Sequence, residues 1–291
     1  MKTAHVFAPA KINLSLRVGP PLSNGRHPLD SLVCFTRTCG DHVRFSPHTS
    51  LRLQVDGPFA YGLSSGDDNL VLAAARLLRD RTSESLGADL ALTKRLPIAS
   101  GIGGGSADAA ATLIGLNDMW EGGLTRHELQ ALGAQLGADV PACLMGSALR
   151  MTGTGETIKA VANVPCLGIV LVNPLIDCPT GPVYRRYDEL GRFSDPQISP
   201  LPDLSTVAGL LAFLQANPND LEAPAKSLVP QIGDLLAAIC ETDDVLLARM
   251  SGSGATCFGL YPDKAKAQSG ATVIKRALAS YPIWVEADEI N

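Results

Sequence analysis

Pro97-Ile98-Ala99-Ser100-Gly101-Ile102-Gly103-Gly104-Gly105-Ser106-Ala107-Asp108 is a glycine-rich turn that feeds straight into a helix. From Ala107 the apolar residues Ala107, Ala110, Ala111 and Ile114 fall at i, i+3, i+4 and i+7, one face of an α-helix. The first N–H groups of such a helix have no intrahelical acceptor, and the helix dipole adds partial positive charge at the same end. Glycines let backbone approach an anion without Cβ clashes. The stretch therefore reads either as a phosphate-holding turn or as a tight turn capped by Ser106, a preferred N-cap type.

Two common phosphate turns are excluded. A P-loop ends in Gly-Lys-Ser/Thr, and no Lys follows these glycines. The dinucleotide fingerprint needs a third glycine where Ser106 stands and a strand running directly into the turn, which Pro97 interrupts.

The 291 residues suit one large or two modest domains, and 46% hydrophobic content is ample for a packed core. A net charge of −5 with no basic block argues against nucleic-acid or membrane-surface partners, though not against small anionic substrates. The seven cysteines are scattered and include no C-x-x-C pair, as expected of free thiols in a reducing compartment. No signal-like leader and no apolar run near the ~18 residues of a membrane span is found, so the expected location is cytoplasmic.

Upstream of the turn, Ile12, Leu14, Leu16 and Val18 alternate with Asn13, Ser15 and Arg17, which predicts a half-buried strand entered through Pro9. Lys11 and Asn13 share its polar face; Lys11 alone could simply be solvated. A loop over 20–29 carries Gly25-Arg26-His27. Strands are expected at Leu32–Phe45, Leu51–Val55 and Ala88–Lys94. A helix capped by Asp67-Asp68-Asn69 is expected to bury Leu70, Ala73, Ala74 and Leu77; the two acids read as complements of its dipole. Lys94-Arg95 reads as a solvated pair that raises positive potential near the turn.

Downstream, Thr125 and Glu128 form a capping-box pattern before a helix reaching Leu136. In Gly137-Ala138-Asp139-Val140-Pro141 the single acid is either a cap or a functional carboxylate. Leu167–Val172 is a buried strand, followed by a loop with Thr180 and Tyr184 and a helix around Arg185–Leu190. The Pro/Ser-rich stretch 194–202 reads as a mobile loop. Helices are expected at Leu204–Gln215, Ile232–Glu241 and Ala265–Ala279, a second glycine turn at Met250–Thr256, and a strand at Ile283–Ala287.

Pro-x-x-x-Gly-Ile-Gly-Gly-Gly-Ser-Ala at 97–107 resembles the nucleotide loop of the GHMP kinases, which include galactokinase, homoserine kinase, mevalonate kinase and phosphomevalonate kinase. Ala-Pro-Ala-Lys-Ile-Asn-Leu at 8–14 is similar to the family's opening strand, and Gly-Ala-Asp-Val-Pro at 137–141 to its segment with the catalytic acid. The triple glycine before serine is most similar to the branch acting on a cytidine diphosphate-linked polyol. The resemblance implies a two-layer α/β (α+β) fold: a ribosomal protein S5-like domain over 1–160, a ferredoxin-like domain over 161–291, and an active site in the cleft between them.

The implied reaction is ATP-dependent phosphorylation of the 2-hydroxyl of 4-diphosphocytidyl-2-C-methyl-D-erythritol. Asp139 would act as general base, with Lys11 keeping it ionised and orienting the hydroxyl. Asn69 and residues 97–107 would hold ATP; Mg2+ would be bound mainly through ATP and water, with no protein metal cluster. Asn13, Arg26, His27, Thr180 and Tyr184 would line the cytidine site. Arg26 stands where the family has Tyr, and an Arg plane also stacks on a base. Met250–Thr256 would back the first glycine turn, and Asn217–Leu221 would be structural. The expected molecule is a monomer or weak homodimer. The alternatives are another small-alcohol kinase of the family and a catalytically silent nucleotide sensor.

Overall fold

The computed structural model describes residues 3–66, 68–82, 86–196 and 200–290. Asp67 of the expected helix start lies outside the described residues, as do positions 197–199 of the loop expected to be mobile. The chain forms two compact units that interleave along the sequence. The first runs through Lys11 and adds Cys39–Ile98 and Gly103–Gly146; the second takes Ile12–Thr38, Ala99–Ile102 and the chain from Ser147 onward.

In the first unit, β4 (Leu51–Asp56), α1 (Leu70–Thr82) and β5 (Gly87–Thr93) make a βαβ unit, because β4 and β5 pair in parallel and need a crossover. The second half of β3 (Leu29–His48) pairs antiparallel with β5, His42 against Thr93 through His48 against Gly87. Helix α2 (Gly104–Met119) carries Gly115 where a Cβ would lie 2.3 Å from the Phe45 ring, so glycine permits the close packing of helix on strand. Leu78, Leu90, Leu92 and Leu113 complete that buried layer. Helix α3 (Arg126–Leu136) opens with the capping box expected at Thr125 and Glu128, and α4 (Val140–Met145) follows.

In the second unit, β8 (Leu167–Asn173), β9 (Leu247–Met250), β10 (Cys257–Tyr261) and β11 (Trp284–Ile290) lie in the order β11-β8-β10-β9, every neighbour antiparallel. The helices α5 (Thr180–Leu190), α6 (Val207–Ala216), α7 (Glu222–Leu228) and α8 (Gln231–Cys240) fall between β8 and β9, and α9 (Lys264–Ala277) between β10 and β11. Helices between the first and second and between the third and fourth strands, in spatial order fourth-first-third-second, give the ferredoxin-like plan. Its core joins Val170 and Val172 to Ile232, Leu235, Ile239 and Ile274. The first half of β3, with β2 (Arg17–Val18), β6 (Leu149–Gly153) and β7 (Thr157–Ala160), forms a further antiparallel group in this unit. Among the described residues no helix is long and apolar enough to cross a membrane.

Several expectations are corrected. The first strand, β1 (Ala4–Asn13), starts before Pro9 and contains it; among the described residues β1 pairs with β3 alone, and an edge position tolerates a residue without N–H. The stretch is not half-buried: Asn13 and Ser15 are as enclosed as their apolar neighbours, because Asn13 donates to the Ser31 hydroxyl and Ser15 accepts from Leu32 N–H. Helix α1 buries Val71, Leu72, Ala74, Ala75 and Leu78, so its inward face is turned by about one residue from the expected stripe. Lys94 is not solvated but 3% exposed. Helix α5 begins at Thr180, which puts Tyr184 on a helix rather than in a loop.

Candidate active site

Lys11 comes from the inner end of β1, and Asp139 is the residue before α4. Asp139 has helical backbone angles, φ −86 and ψ −16, and its side chain makes no cap bond. It pairs instead with Lys11 Nζ through Oδ2 at 2.7 Å, the lysine side chain 6% and the aspartate 37% exposed. Of the two readings of Asp139, the cap is thereby removed. Below it, burial first and the Asp139 charge second push the Cys143 thiol up, so it stays protonated.

The glycine turn enters α2 with Gly103 as N-cap, φ 65 and ψ 21, and without a side-chain cap; Ser106 lies inside the first turn. Ala107 N–H donates to Gly103 O at 2.9 Å, so the N–H groups of Gly104, Gly105 and Ser106 precede the first such helical bond. The missing side chains make room for cations. A Cβ on Gly103 would lie 3.1 Å from Lys11 Cβ, and one on Gly104 would lie 3.0 Å from Lys94 Nζ. Lys94 Nζ donates to Asp41 Oδ2 and, at 2.7 Å, to Asp108 Oδ2. Asp41 Oδ1 accepts the N–H groups of Arg95 and Leu96. Burial pulls the Lys94 pKa down, but the Asp108 and Asp41 charges outweigh it and the net shift is upward. Asp108 is pushed up to about 7, chiefly by burial, against the pull of Lys94 and with the Asp41 charge adding. Asn69 spends its side chain on α1, accepting from Val71 N–H at 2.9 Å and donating to Ser64 O at 2.7 Å.

Residues 99–102 are built into the second unit with the turn at 251–254. Thr256 N–H donates to Ser100 O, and the Ser251 hydroxyl donates to Gly101 O, both at 3.1 Å. Gly101 has φ 73, and a Cβ there would sit 2.6 Å from Gly254 O, so this close approach requires a glycine at 101. Asn219 Nδ2 holds Met250 O and Gly252 O at 2.8 Å each, and Asn13 N–H donates to the Ser251 hydroxyl at 3.1 Å. Pro97 is buried, whereas Ile98 and Ala99 are exposed and Ile102 is fully enclosed.

A second cluster in the same unit gathers His27, Tyr184, Tyr187 and Asp188. His27 Nε2 lies 2.8 Å from Asp188 Oδ1, and its ring centroid is 4.9 Å from that of Tyr184. A carboxylate accepting this bond places the proton on Nε2. The Thr180 and Ser253 hydroxyls are hydrogen-bonded at 2.9 Å. Arg26 stays exposed in the 20–28 loop, outside this ring cluster. From the sequence alone Asp188, Asp41 and Asp108 have no role, and Lys94 only that of a solvated cation near the turn. Asp188 had one signal, its i+4 spacing from Tyr184 on a helix face; the other three meet only in three dimensions.

A family model described as the GHMP kinases N terminal domain matches residues 69–147, and one described as GHMP kinases C terminal matches 198–280. A 4-diphosphocytidyl-2-C-methyl-D-erythritol kinase of Paramagnetospirillum magneticum is 46% identical, with 98% of this chain and 97% of that protein aligned. One from Hyphomonas neptunium is 44% identical over 100% of this chain and 97% of the relative. Among solved structures, a 4-(cytidine 5'-diphospho)-2C-methyl-D-erythritol kinase matches with TM-score 0.79 and 31% identity, covering 99% of both chains. A homoserine kinase from Cytophaga hutchinsonii matches with TM-score 0.70 at 18% identity, covering 99% of this chain and 95% of the other, which is a likeness of fold alone.

Proposed function

The chain belongs to the GHMP kinases, and from that membership we propose that it uses ATP to phosphorylate the 2-hydroxyl of 4-diphosphocytidyl-2-C-methyl-D-erythritol, a step of non-mevalonate isoprenoid precursor synthesis. The observation that carries the chemistry is the Lys11–Asp139 pair: a carboxylate with one oxygen held at 2.7 Å by a buried ammonium and its side chain still 37% exposed. The choice of alcohol rests on the full-length relatives that bear this substrate's name.

In this reading Asp139 Oδ1, the oxygen not engaged by Lys11, takes the hydroxyl proton as the alcohol attacks the terminal phosphate. Lys11 fixes the carboxylate and faces the charge of the transferring group. Phosphoryl transfer asks the protein mainly for positioning and charge neutralisation. The turn 97–107 supplies the first through the N–H groups at the start of α2. Asn69 reaches the nucleotide only as the cap that fixes α1 beside this turn; Leu70 Cδ1 lies 3.6 Å from where a Gly105 Cβ would be. Mg2+ would be held mainly through the ATP phosphates and water, where it would offset phosphate charge.

His27 and Tyr184 receive the cytosine, with Asp188 fixing the imidazole so that Nδ1 meets the base edge. Thr180 and Asn13 act more remotely, through Ser253 and Ser251 of the second glycine turn. Arg26, exposed on the 20–28 loop, offers its guanidinium plane to the base. The seven free cysteines favour a reducing, cytoplasmic compartment, and the charge of −5 argues against nucleic-acid or membrane partners; the enzyme is taken as a monomer or weak homodimer.

The test is ³¹P NMR of the protein with Mg-ATP and the cytidyl substrate, with mevalonate and homoserine in parallel. A new phosphomonoester signal with ADP, only in the first tube, is expected. Transfer to another alcohol overturns the substrate; ATP binding without any transfer would make the protein a silent sensor.

A further inference from the structure

We propose that Lys94, gripped by Asp41 and Asp108, is a positioning residue for the nucleotide: it fastens the strand entering the glycine turn to the helix leaving it. The proposal rests on the reading that this turn holds the ATP phosphates.

The three side chains meet at both ends of the turn. Asp41 comes from β3 and accepts the N–H groups of Arg95 and Leu96, the last two residues before Pro97. Asp108 stands one turn into α2. Lys94 joins the two carboxylates through a single ammonium, its side chain 4% exposed and theirs 0% and 4%. Its backbone is equally fixed: Lys94 N–H donates to Asp56 O at 2.7 Å, and Phe59 N–H donates to Lys94 O at 3.2 Å. The ammonium lies directly beneath the helix start, because Gly104 has no side chain to keep it away.

A cation buried with two acids does not raise the potential at the turn; the carboxylates cancel it. What remains is geometry. Nor is the cluster an economical way to fill space, since apolar groups of similar size commonly replace buried ion pairs without loss. Asp108 Oδ1 is buried and accepts no hydrogen bond, a cost that a merely space-filling cluster would not carry. The arrangement instead ties residues 94–96 to the first turn of α2, and so fixes where the N–H groups of Gly104, Gly105 and Ser106 point.

Lys94→Met combined with Asp108→Asn removes the shared ammonium together with one of the two acids that hold it, and nearly keeps volume. For the folded double variant, kcat/KM for ATP is expected to fall about 100-fold, as a small misplacement of binding groups allows. KM for the alcohol should stay at the parent value, which a general loosening would not permit. If the double variant does not fold, Asp108→Asn alone, which leaves Lys94 with Asp41, should still lower kcat/KM for ATP on the order of 10-fold with the same split. It should also speed hydrogen exchange at Gly103–Ala107. Unchanged kcat/KM for ATP in a folded variant, or equal rises in both KM values, overturns the proposal. Gly105→Asp is run beside them, since a carboxylate at the helix start should abolish ATP binding. If it does while the Lys94 and Asp108 variants bind normally, only the positioning role falls. If Gly105→Asp binds ATP as the parent does, the phosphate reading of the turn falls, and the positioning role with it.

Discussion

Two lysine–aspartate clusters sit in the same compact unit, and each has an ammonium 2.7 Å from a carboxylate oxygen. Distance does not distinguish them; what each carboxylate has left over does. Asp139 keeps one oxygen clear of Lys11 on a side chain 37% exposed, so it can meet a substrate proton. Asp41 is fully enclosed and has both oxygens engaged, one by Lys94 and one by two backbone N–H groups. An open oxygen suits proton transfer; a saturated, dry one suits holding a fold. Successive glycines serve the two clusters in turn, Gly103 clearing space for Lys11 and Gly104 for Lys94.

Substitutions should split along this line. Asp139→Asn should cut turnover by about 10²–10⁴-fold while calorimetry still detects ATP binding and thermal melting hardly moves. Turnover near the parent rate would take Asp139 out of the base role. Asp41→Ala should do the reverse: urea unfolding should report a loss of about 3–5 kcal/mol, because it leaves a buried cation short of a partner and two N–H groups unpaired. A loss below about 1 kcal/mol, the range of surface pairs, would erase the contrast. Gly103→Ala touches the exposed pair through the backbone. Its φ of 65 should cost an L-residue about 1–2 kcal/mol, and its Cβ would press on Lys11, so kcat should fall with stability. Gly105→Ala changes a glycine of the same turn without that contact, since its Cβ would meet only Leu70 Cδ1 at an ordinary 3.6 Å; equal effects at both glycines would show that Lys11 is not sensitive to this contact.

The exposed cluster was legible in the sequence and the buried one was not. Lys11 and Asp139 each sit in a short phrase with a recognisable pattern, and those phrases survive even though 128 positions, by subtraction of their numbers, separate them. Asp41, Lys94 and Asp108 carry no such phrase. Lys94 next to Arg95 looks like any solvated basic pair, and only the pairing of β3 with β5 brings Asp41 to it. The same limit explains α1: its pattern admits two neighbouring stripes, and packing chose the one through Val71 and Leu78. It explains β1 as well, where alternation suggested a wet face but hydrogen bonds to Ser31 and Leu32 let Asn13 and Ser15 go inside. Thr125 and Glu128 needed no tertiary partner, and their capping box appears as read. The ferredoxin-like order follows from family resemblance rather than periodicity. The interleaving of the two units follows from neither, because chain segments such as Ala99–Ile102 change unit inside one motif.

The smallest predicted effect tests whether the buried cluster is neutral. Asp108 titrates near 7 in the fold against its ordinary 3.8, with Lys94, Asp41 and the Cys143 thiol as its charged or titratable neighbours. Between those two values the folded protein keeps a proton that the unfolded chain has released. Stability should therefore fall as pH rises from about 4 to about 7 and level off above that. Lys94, shifted upward from 10.5, stays charged throughout this window, and Cys143, also shifted upward, stays a thiol. Other groups titrate in the same range, so the informative quantity is the melting-temperature difference between the parent and Asp108→Asn. Asparagine takes up no proton, so the parent's advantage should shrink with rising pH across this window. A constant difference would mean that Asp108 is ionised in the fold, leaving two buried carboxylates against one ammonium. The shrinking difference would mean that the cluster under the glycine turn holds one acid proton and no net charge, in contrast to the open carboxylate of Asp139 beside it in the same unit.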